Sequence, residues 1–557
     1  MSIIKEILLK IVRWASKSPS WHDLLFLCGM VCVITFHPYY LYGLVNLFEA
    51  GLYLPGIESI LEGKIPYKDF FHLRGPLELY LPAIWMNIFG VRFSILPSYF
   101  YLGTLATFFV GILIAKNLLK TRFFIYMLLL VLIARTFPRV SFLIGGGFRF
   151  AWGLTVIYCI LRYCQGFNRV WLILAGIFSA VSLSTSPEIG IYSILSVLTA
   201  LYALNRNVPF LRTTKKEIKA YVLSTMLALL PLGMYFYYHG ALGDLLGAYY
   251  YVATNMVKTF PQIDPSPKGF VDVLAAMFNP SHVNFKHMTP LFCFAATFVY
   301  LLCKFRENRI NVGFLCLAVY SFLIFVFSMR SLWGPAFESA LLTEKILLFI
   351  IIERFVFYLR NDSRSYRGWM AKLLIAVVLI STLSYSATRF MKRFIFMQII
   401  FCHDGQRRMK SVLSFLEKDM SLVDIPRMRG MVVPAKQASD ITELTRMVNL
   451  NSKHGETVLF LPDLGIYNFI TDRPYAGRFP VATLAWINGK WQSEFINSLT
   501  AERPRLVITP KNLPEYFVNT QLILPENKNK YNEVMRFVEN NYRIMGSTSS
   551  FNVWVEK

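Results

Sequence analysis

Apolar runs of membrane-spanning length recur along this chain, and nothing constrains its folding more. In hydrocarbon a segment of about 20 apolar residues has no water to satisfy its backbone, so it must be a helix. Hydrophobic residues make up 55% of the 557 positions, and the mean hydropathy is +0.46. A soluble chain of this length would be less apolar. The pattern predicts a polytopic α-helical membrane protein.

Candidate spans lie at roughly 22–41, 77–91, 94–116, 122–137, 144–163, 169–186, 188–204, 220–238, 288–304, 312–329, 338–358 and 372–388. Ahead of them, residues 1–21 read as an amphipathic interfacial helix. Ile3, Ile4, Ile7, Leu8, Ile11 and Val12 share helical spacing, with Lys5, Lys10 and Arg13 elsewhere, which suits the cytoplasmic leaflet. The first span lacks a small-x-small cleavage site and reads as uncleaved. The basic loops Arg206–Lys219, Lys304–Arg309 and Arg360–Lys372 also have cytoplasmic character. Twelve alternating spans would put them outside. An odd total, eleven or thirteen, fits better, with one early segment only partly spanning or one further span present.

The formal net charge is +24, from 57 basic and 33 acidic residues. The basic residues fall between apolar runs, as the positive-inside rule requires, so no nucleic-acid partner is implied. An anionic lipid-linked substrate would also favour basic residues at the membrane surface. Of the eight cysteines only Cys402 stands clearly outside apolar segments, and no CxxC pair occurs. Neither a disulfide framework nor a zinc site is indicated.

Between the first two apolar segments lies LFEAGLYLPGIESILEGKIPYKDFFHLRGPLELYLPAIWMNIFG, residues 47–90. Glu49, Glu58, Glu62 and Asp69 alternate there with Lys64, Lys68, His72 and Arg74, among Tyr53, Tyr67, Phe70 and Phe71. Pro55 is placed to start a helix, Gly63 to end it, Pro66 to bar its continuation and Gly75-Pro76 to launch the next. Such a loop at the water–lipid boundary is either a site or a solvated connection with ordinary interfacial aromatics. The charge rule puts the loop, 42–76, outside the cytoplasm.

Three other connections stand out: 239–287 with its Pro-rich TFPQIDPSPKGF, 138–149 with three successive glycines, and 328–338 with Arg330, Trp333 and Glu338. Each is also readable as a plain connector. Glu188 in STSPEIGIY is an acid between two apolar runs, yet Pro187 and Gly190 suggest a surface turn. The domain plan is thus an interfacial helix 1–21, a transmembrane region 22–393 and a soluble region 394–557. Strand-like runs at Thr457–Phe460, Leu506–Thr509 and Phe551–Val555 alternate in the last region with helical patterns at 437–453, 492–500 and 530–540. That alternation predicts a small α/β domain, extracytoplasmic if the span count is odd.

These residues resemble the first extracytoplasmic loop of C-type (GT-C) integral membrane glycosyltransferases, relatives of protein O-mannosyltransferases and lipid A aminoarabinose transferases. The matching positions are Gly51, Gly63, Pro66, Tyr67, Asp69, Phe70, Phe71, Gly75 and Pro76, with Glu49 where the family usually has Asp. SPEIGIY and the segments GETVLFLPDLGIYNFITDRPYAGRF and SLTAERPRLVI are similar to members of the same group. The chain departs from the family at RSLWGPAFES, which lacks a His, and it has no D-x-D diad.

The resemblance implies a GT-C-like fold of 11–13 spans with a small C-terminal α/β extracytoplasmic domain. It also implies transfer of a sugar from a polyprenyl-phosphate donor to a glycan, lipid or protein acceptor, in a bacterial inner (plasma) membrane. Membrane lipids would be its other partners, and no metal or other cofactor is expected. Glu49 would be the catalytic base and Asp69 would orient it or the acceptor. Arg74, Arg330, Lys64 and His72 would meet the phosphate, while Tyr67 and the neighbouring aromatics would stack on sugar. The rival readings are a secondary transporter or lipid flippase, and a non-catalytic membrane scaffold. A transporter would place charges near mid-membrane and repeat its broken helices, and no convincing repeat is found.

Overall fold

The computed structural model describes residues 2–35, 47–136, 147–207, 214–254, 275, 288–307, 311–328, 342–361, 420–480 and 486–557. The predicted apolar segments within these ranges are helices. In chain order they are α1 (Ser2–Ala15), α2 (Trp21–Thr35), α3 (Leu47–Leu61), α4 (Leu77–Phe89), α5 (Ile95–Leu118), α6 (Arg122–Thr136) and α7 (Phe148–Gly166). There follow α8 (Arg169–Thr185), α9 (Pro187–Asn207), α10 (Thr214–Tyr238), α11 (Leu242–Thr254), α12 (Met288–Arg306), α13 (Val312–Ser328) and α14 (Leu342–Asn361). The expected span 372–388 and the segment around Arg330 lie outside the described residues.

Three described helices are long and apolar enough to cross a bilayer, over Ile95–Leu118, Pro187–Leu204 and Lys215–Tyr238. Helix α4 is not: its 13 residues extend only about 20 Å at 1.5 Å per residue, against a hydrocarbon core of about 30 Å. Five further described apolar helices are also shorter than a full crossing, over Trp21–Cys32, Arg122–Leu132, Arg169–Thr185, Pro290–Phe305 and Val312–Val326. The connection 239–287 carries helix α11 ahead of its Pro-rich stretch.

The chain forms two compact units, each assembled from separate stretches. The first comprises Met1–His37, Phe100–Leu229 and Pro267–Phe415. Its core is almost wholly aliphatic and aromatic, from Leu27 and Leu132 through Ile157 and Leu172 to Phe314 and Ile346. Where backbones approach most closely the residues are glycine: a Cβ on Gly103 would lie 2.2 Å from the Gly147 carbonyl carbon. Gly147 is the last of the three successive glycines, and the other two fall outside the described residues.

Three acids of this unit are answered by donors on other elements. Asp23 accepts hydrogen bonds from Ser20 N–H (2.7 Å) and Arg122 Nε (2.8 Å). Glu353 accepts from the N–H groups of Lys120 (2.8 Å) and Thr121 (2.9 Å), so it satisfies donors just ahead of α6 that no helical carbonyl reaches. Glu188, in the first turn of α9, pairs with Arg149, whose Nε also donates to Ser186 Oγ at 2.9 Å. Pro187 therefore starts a helix rather than a free turn.

The second unit comprises Pro38–Tyr99, Leu230–Ser266 and Leu416–Lys557. The sequence division at 394 separates pieces that the fold gathers: the acidic loop packs with the C-terminal region. There, β1 (Met420–Leu422) and β2 (Val432–Pro434) form a short antiparallel pair. A four-stranded sheet comes next, from β3 (Val458–Phe460), β4 (Leu506–Pro510), β5 (Tyr542–Ser547) and β6 (Phe551–Glu556), in the order β3-β4-β6-β5. Only β3 and β4 run parallel, joined by a crossover that carries α16 (Ile466–Thr471) and α17 (Gly489–Glu502). Helix α15 (Ala435–Asn451) precedes the sheet, and α18 (Glu515–Thr520) and α19 (Pro525–Asn541) lead into β5. All three predicted strands and all three predicted helices of this region are present.

Candidate active site

Within the described residues helix α3 runs over Leu47–Leu61 and carries Glu49 near its N-terminal side. The Glu49 side chain is outside the described residues. Pro55, expected to start the helix, lies inside it. A proline there removes one bond to the carbonyl four residues back and crowds it, and that residue is Gly51, the least obstructive choice. Gly51 serves a second end: a Cβ on it would lie 3.1 Å from the backbone nitrogen of Ile466, in α16.

The far end of α3 closes as predicted. Gly63 has φ +85°, its N–H donates to Ile60 O and the N–H of Lys64 donates to Ser59 O, both at 2.9 Å. This is the paired Schellman arrangement, which needs a left-handed residue where Gly63 stands. Lys64 then pairs with Glu62 at 2.9 Å, both of them half-exposed.

Next comes a tight turn over Ile65–Phe70. Tyr67 N–H donates to Phe70 O at 2.8 Å and Asp69 N–H to Ile65 O at 2.9 Å. Asp69 is exposed, and its Oδ2 accepts from Ile65 N–H at 2.7 Å. One carboxylate oxygen thus holds the turn together while the residue faces outward.

Behind the turn Tyr53, Arg74 and Glu78 form a closed trio. Arg74 Nη1 lies 2.6 Å from Tyr53 Oη and 3.0 Å from Glu78 Oε1, and Tyr53 Oη donates to Glu78 Oε1 at 2.7 Å. Tyr53 and Glu78 are buried, and Arg74 keeps 29% of its side chain exposed. Arg74 therefore offers a guanidinium already half-compensated. Glu78 escapes the sequence reading, although its position four residues after Arg74 is the helical spacing for an ion pair.

Two expectations need correction. The aromatic residues of the loop are not a stacking platform: Tyr53, Tyr67, Phe70 and Phe71 are all less than 10% exposed. Tyr67, expected to bind substrate, packs against Phe236 at 5.8 Å, donates its hydroxyl to the Arg74 carbonyl and holds a positive φ of 70°. It is a structural residue. His72 likewise is no cation. Burial and the neighbouring Arg74 charge push its pKa down to about 3, against a hydrogen bond with the Gly75 backbone. Its Nε2 is shielded from solvent with no partner among the described residues.

Residues from the C-terminal region complete this face of the unit. Arg427 bridges Glu58 on α3 and Asp472 after α16, and burial pushes the Glu58 carboxyl up against the pull of Arg427. Ser59 Oγ meets Tyr475 Oη at 2.7 Å. Arg478 donates to the Tyr67 carbonyl at 2.8 Å. No local pattern in the sequence announces these three partners, which lie more than 360 residues from the loop. The structure thus brings Lys64, Asp69, His72, Arg74 and Tyr67 into one unit with helix α3. Arg330 falls outside the described residues.

No protein-family model matches the chain, and no curated protein matches it in sequence. Solved structures do. ArnT from Cupriavidus metallidurans bound to undecaprenyl phosphate is similar with a TM-score of 0.54 at 11% identity, over 96% of this chain and 98% of that one. Its apo state gives 0.53 at 12% identity, over 95% and 97%. The archaeal oligosaccharyltransferase AglB from Archaeoglobus fulgidus, in complex with an inhibitory peptide and a dolichol-phosphate, gives 0.50 at 11% identity, over 96% and 74%. The chain shares the fold of these structures, and three of its described helices are long and apolar enough to cross a membrane.

Proposed function

We propose that this protein transfers a sugar from a polyprenyl-phosphate-linked donor to a glycan, lipid or protein acceptor outside the cytoplasm, with the 47–76 loop as its active site. The observation that carries the reading is the likeness in fold, over nearly the whole of both chains, to an ArnT solved with undecaprenyl phosphate bound. The loop's chemistry supports it. The acceptor atom attacks the anomeric carbon, the bond from that carbon to the phosphate oxygen breaks, and the acceptor's proton passes to a carboxylate. Glu49 is assigned that proton and Asp69 the orientation of the acceptor. The phosphate leaves with its charge met by Arg74, Lys64 and Arg330.

The test is lipid-linked sugar profiling in cells with and without the gene. One defined polyprenyl-phosphate sugar should accumulate when the gene is deleted and return to its former level on complementation. An unchanged donor pool, alongside altered transport of an unrelated solute, would overturn the assignment in favour of a transporter.

A further inference from the structure

The turn that presents Asp69 is held at both ends by a single residue of the C-terminal region. Arg478 Nη1 donates to the carbonyl of Tyr67 at 2.8 Å. The carbonyl of the same arginine accepts from the N–H of Phe71 at 2.5 Å. Tyr67 and Phe71 flank Asp69 symmetrically, two residues to either side, so one residue grips the backbone before and after the carboxylate.

Arg478 is itself immobilised from behind. Its Nε and Nη2 form a fork on Glu494 of α17, with Nη2 to Oε2 at 3.0 Å. Such two-point pairing fixes a guanidinium in orientation as well as position. The preceding N–H, of Gly477, donates to both carboxylate oxygens of Glu502 at 3.0 Å. Glu494, Ser498 and Glu502 are spaced four apart and so line one face of α17. Gly477 lies flat on that face: its φ is +58°, and a Cβ there would come 2.6 Å from Ser498 Oγ. Phe71 then seats its ring against Phe479 (5.4 Å) and edge-on to Trp491 (4.9 Å), which also meets Tyr251 at 4.7 Å.

We infer that Arg478 is a positioning residue, through which helix α17 sets the place of the Asp69 turn. This rests on the reading of that loop as the active site. The arginine touches no reacting atom. It acts by fixing backbone on which a misplacement of about 1 Å can lower turnover roughly 10²-fold. A merely stabilising contact would change melting temperature. This one is expected to change turnover and local loop opening while global stability holds, because Phe71 and the aromatic cluster still anchor the loop.

The experiment uses the purified full-length chain with Arg478→Met, Arg478→Lys and Glu494→Gln. Trypsin cleavage after Lys64 and Lys68, read by mass spectrometry against the exposed Lys453 as reference, reports the turn without any assumption about function. Turnover is measured on membranes from the deletion strain, which supply donor and acceptor, at saturating and half-saturating membrane. Arg478→Met is expected to raise cleavage at Lys68 about tenfold relative to Lys453, because local opening sets susceptibility. It should lower the saturating rate roughly 10²-fold with half-saturation unchanged. Arg478→Lys, keeping the charge without the fork, should fall between, and Glu494→Gln should change both readouts in the same direction. Unchanged cleavage in all three variants overturns the clamp. Increased cleavage with an unchanged saturating rate overturns positioning. If wild type itself turns nothing over on those membranes, the functional reading fails, while the cleavage ratios still decide whether Arg478 holds the turn.

Discussion

The two units of this molecule use charge in opposite ways. In the helical unit the described charged contacts that join separate elements use largely buried carboxylates: Asp23 with Arg122, Glu353 with the chain ahead of α6, Arg149 with Glu188. In the loop-bearing unit several charged groups gather around one turn. Arg74 and Glu78 lie behind it, Arg478 and Glu494 at its ends, and Asp69, Lys64 and Lys68 on its exposed side. A polar group in apolar surroundings needs its partner merely to be tolerated, so the first pattern is what stability alone produces. The second leaves an acid and two lysines facing outward on a rigidly held backbone. Stability does not require that.

The comparison breaks most sharply at Glu49. If it is the base, Glu49→Gln lowers the chemical rate roughly 10²–10⁴-fold and leaves donor binding largely intact, whereas Glu49→Asp is milder. Single-turnover kinetics at matched expression would show this. Wild-type turnover in Glu49→Gln would move the catalytic assignment along the loop. Glu58→Gln is a poor control because Glu58 pairs with Arg427. Glu62, exposed and paired only with Lys64 among the described residues, serves better.

The helical unit should answer differently. Glu353→Ala strands the buried N–H and hydroxyl of Thr121, at about 1–3 kcal/mol for each group left unsatisfied. The melting temperature of the full chain in detergent should drop clearly, while turnover per folded molecule stays at the wild-type level. A variant that kept its stability but lost turnover would erase the distinction between the units.

A smaller effect concerns pH. His72 titrates near 3 in the folded chain against an ordinary 6.5, so between those values the unfolded chain binds a proton that the folded chain does not. Stability contributed by neutral His72 is therefore complete above 6.5 and is lost as pH falls toward 3. Melting temperatures of wild type and His72→Gln, measured from pH 7 to pH 4.5, should diverge in slope, with wild type the steeper. Parallel curves would mean that His72 is not held neutral by the fold.

Much of this arrangement was legible in the sequence because it depends on local rules. Gly63 ends α3 since a left-handed cap needs a residue without a Cβ, and strands β3, β4 and β6 are expected from apolar alternation. The loop aromatics misled because an aromatic residue at an interface and one in a core look alike in sequence. Only the packing of Phe71 on Phe479 and Trp491 tells them apart. Arg427 and Arg478 were invisible for a different reason. Their partners lie in α3 and the 66–71 turn, and no periodicity links such distant positions. The division near 394 misled in the same way, since composition changes there while contacts join the 47–76 loop to the C-terminal region.

The smallest expected effect is that of removing divalent metal. The carboxylates around the turn already have partners: Asp69 the Ile65 N–H, Glu78 Tyr53 and Arg74, Glu58 and Asp472 together Arg427, Glu494 Arg478. A divalent cation binds where several oxygens converge on one point, and no group of three His, Cys, Asp or Glu side chains does so among the described residues. These acids are instead spread over three arginines, a tyrosine and a backbone donor. Charge on the leaving phosphate would then be met by Arg74, Lys64 and Arg330. Turnover on deletion-strain membranes should survive EDTA with little change in rate. Loss of turnover in EDTA, restored by magnesium or manganese, would show that the acids of this loop converge in the working enzyme, and would recast Asp69 as a ligand.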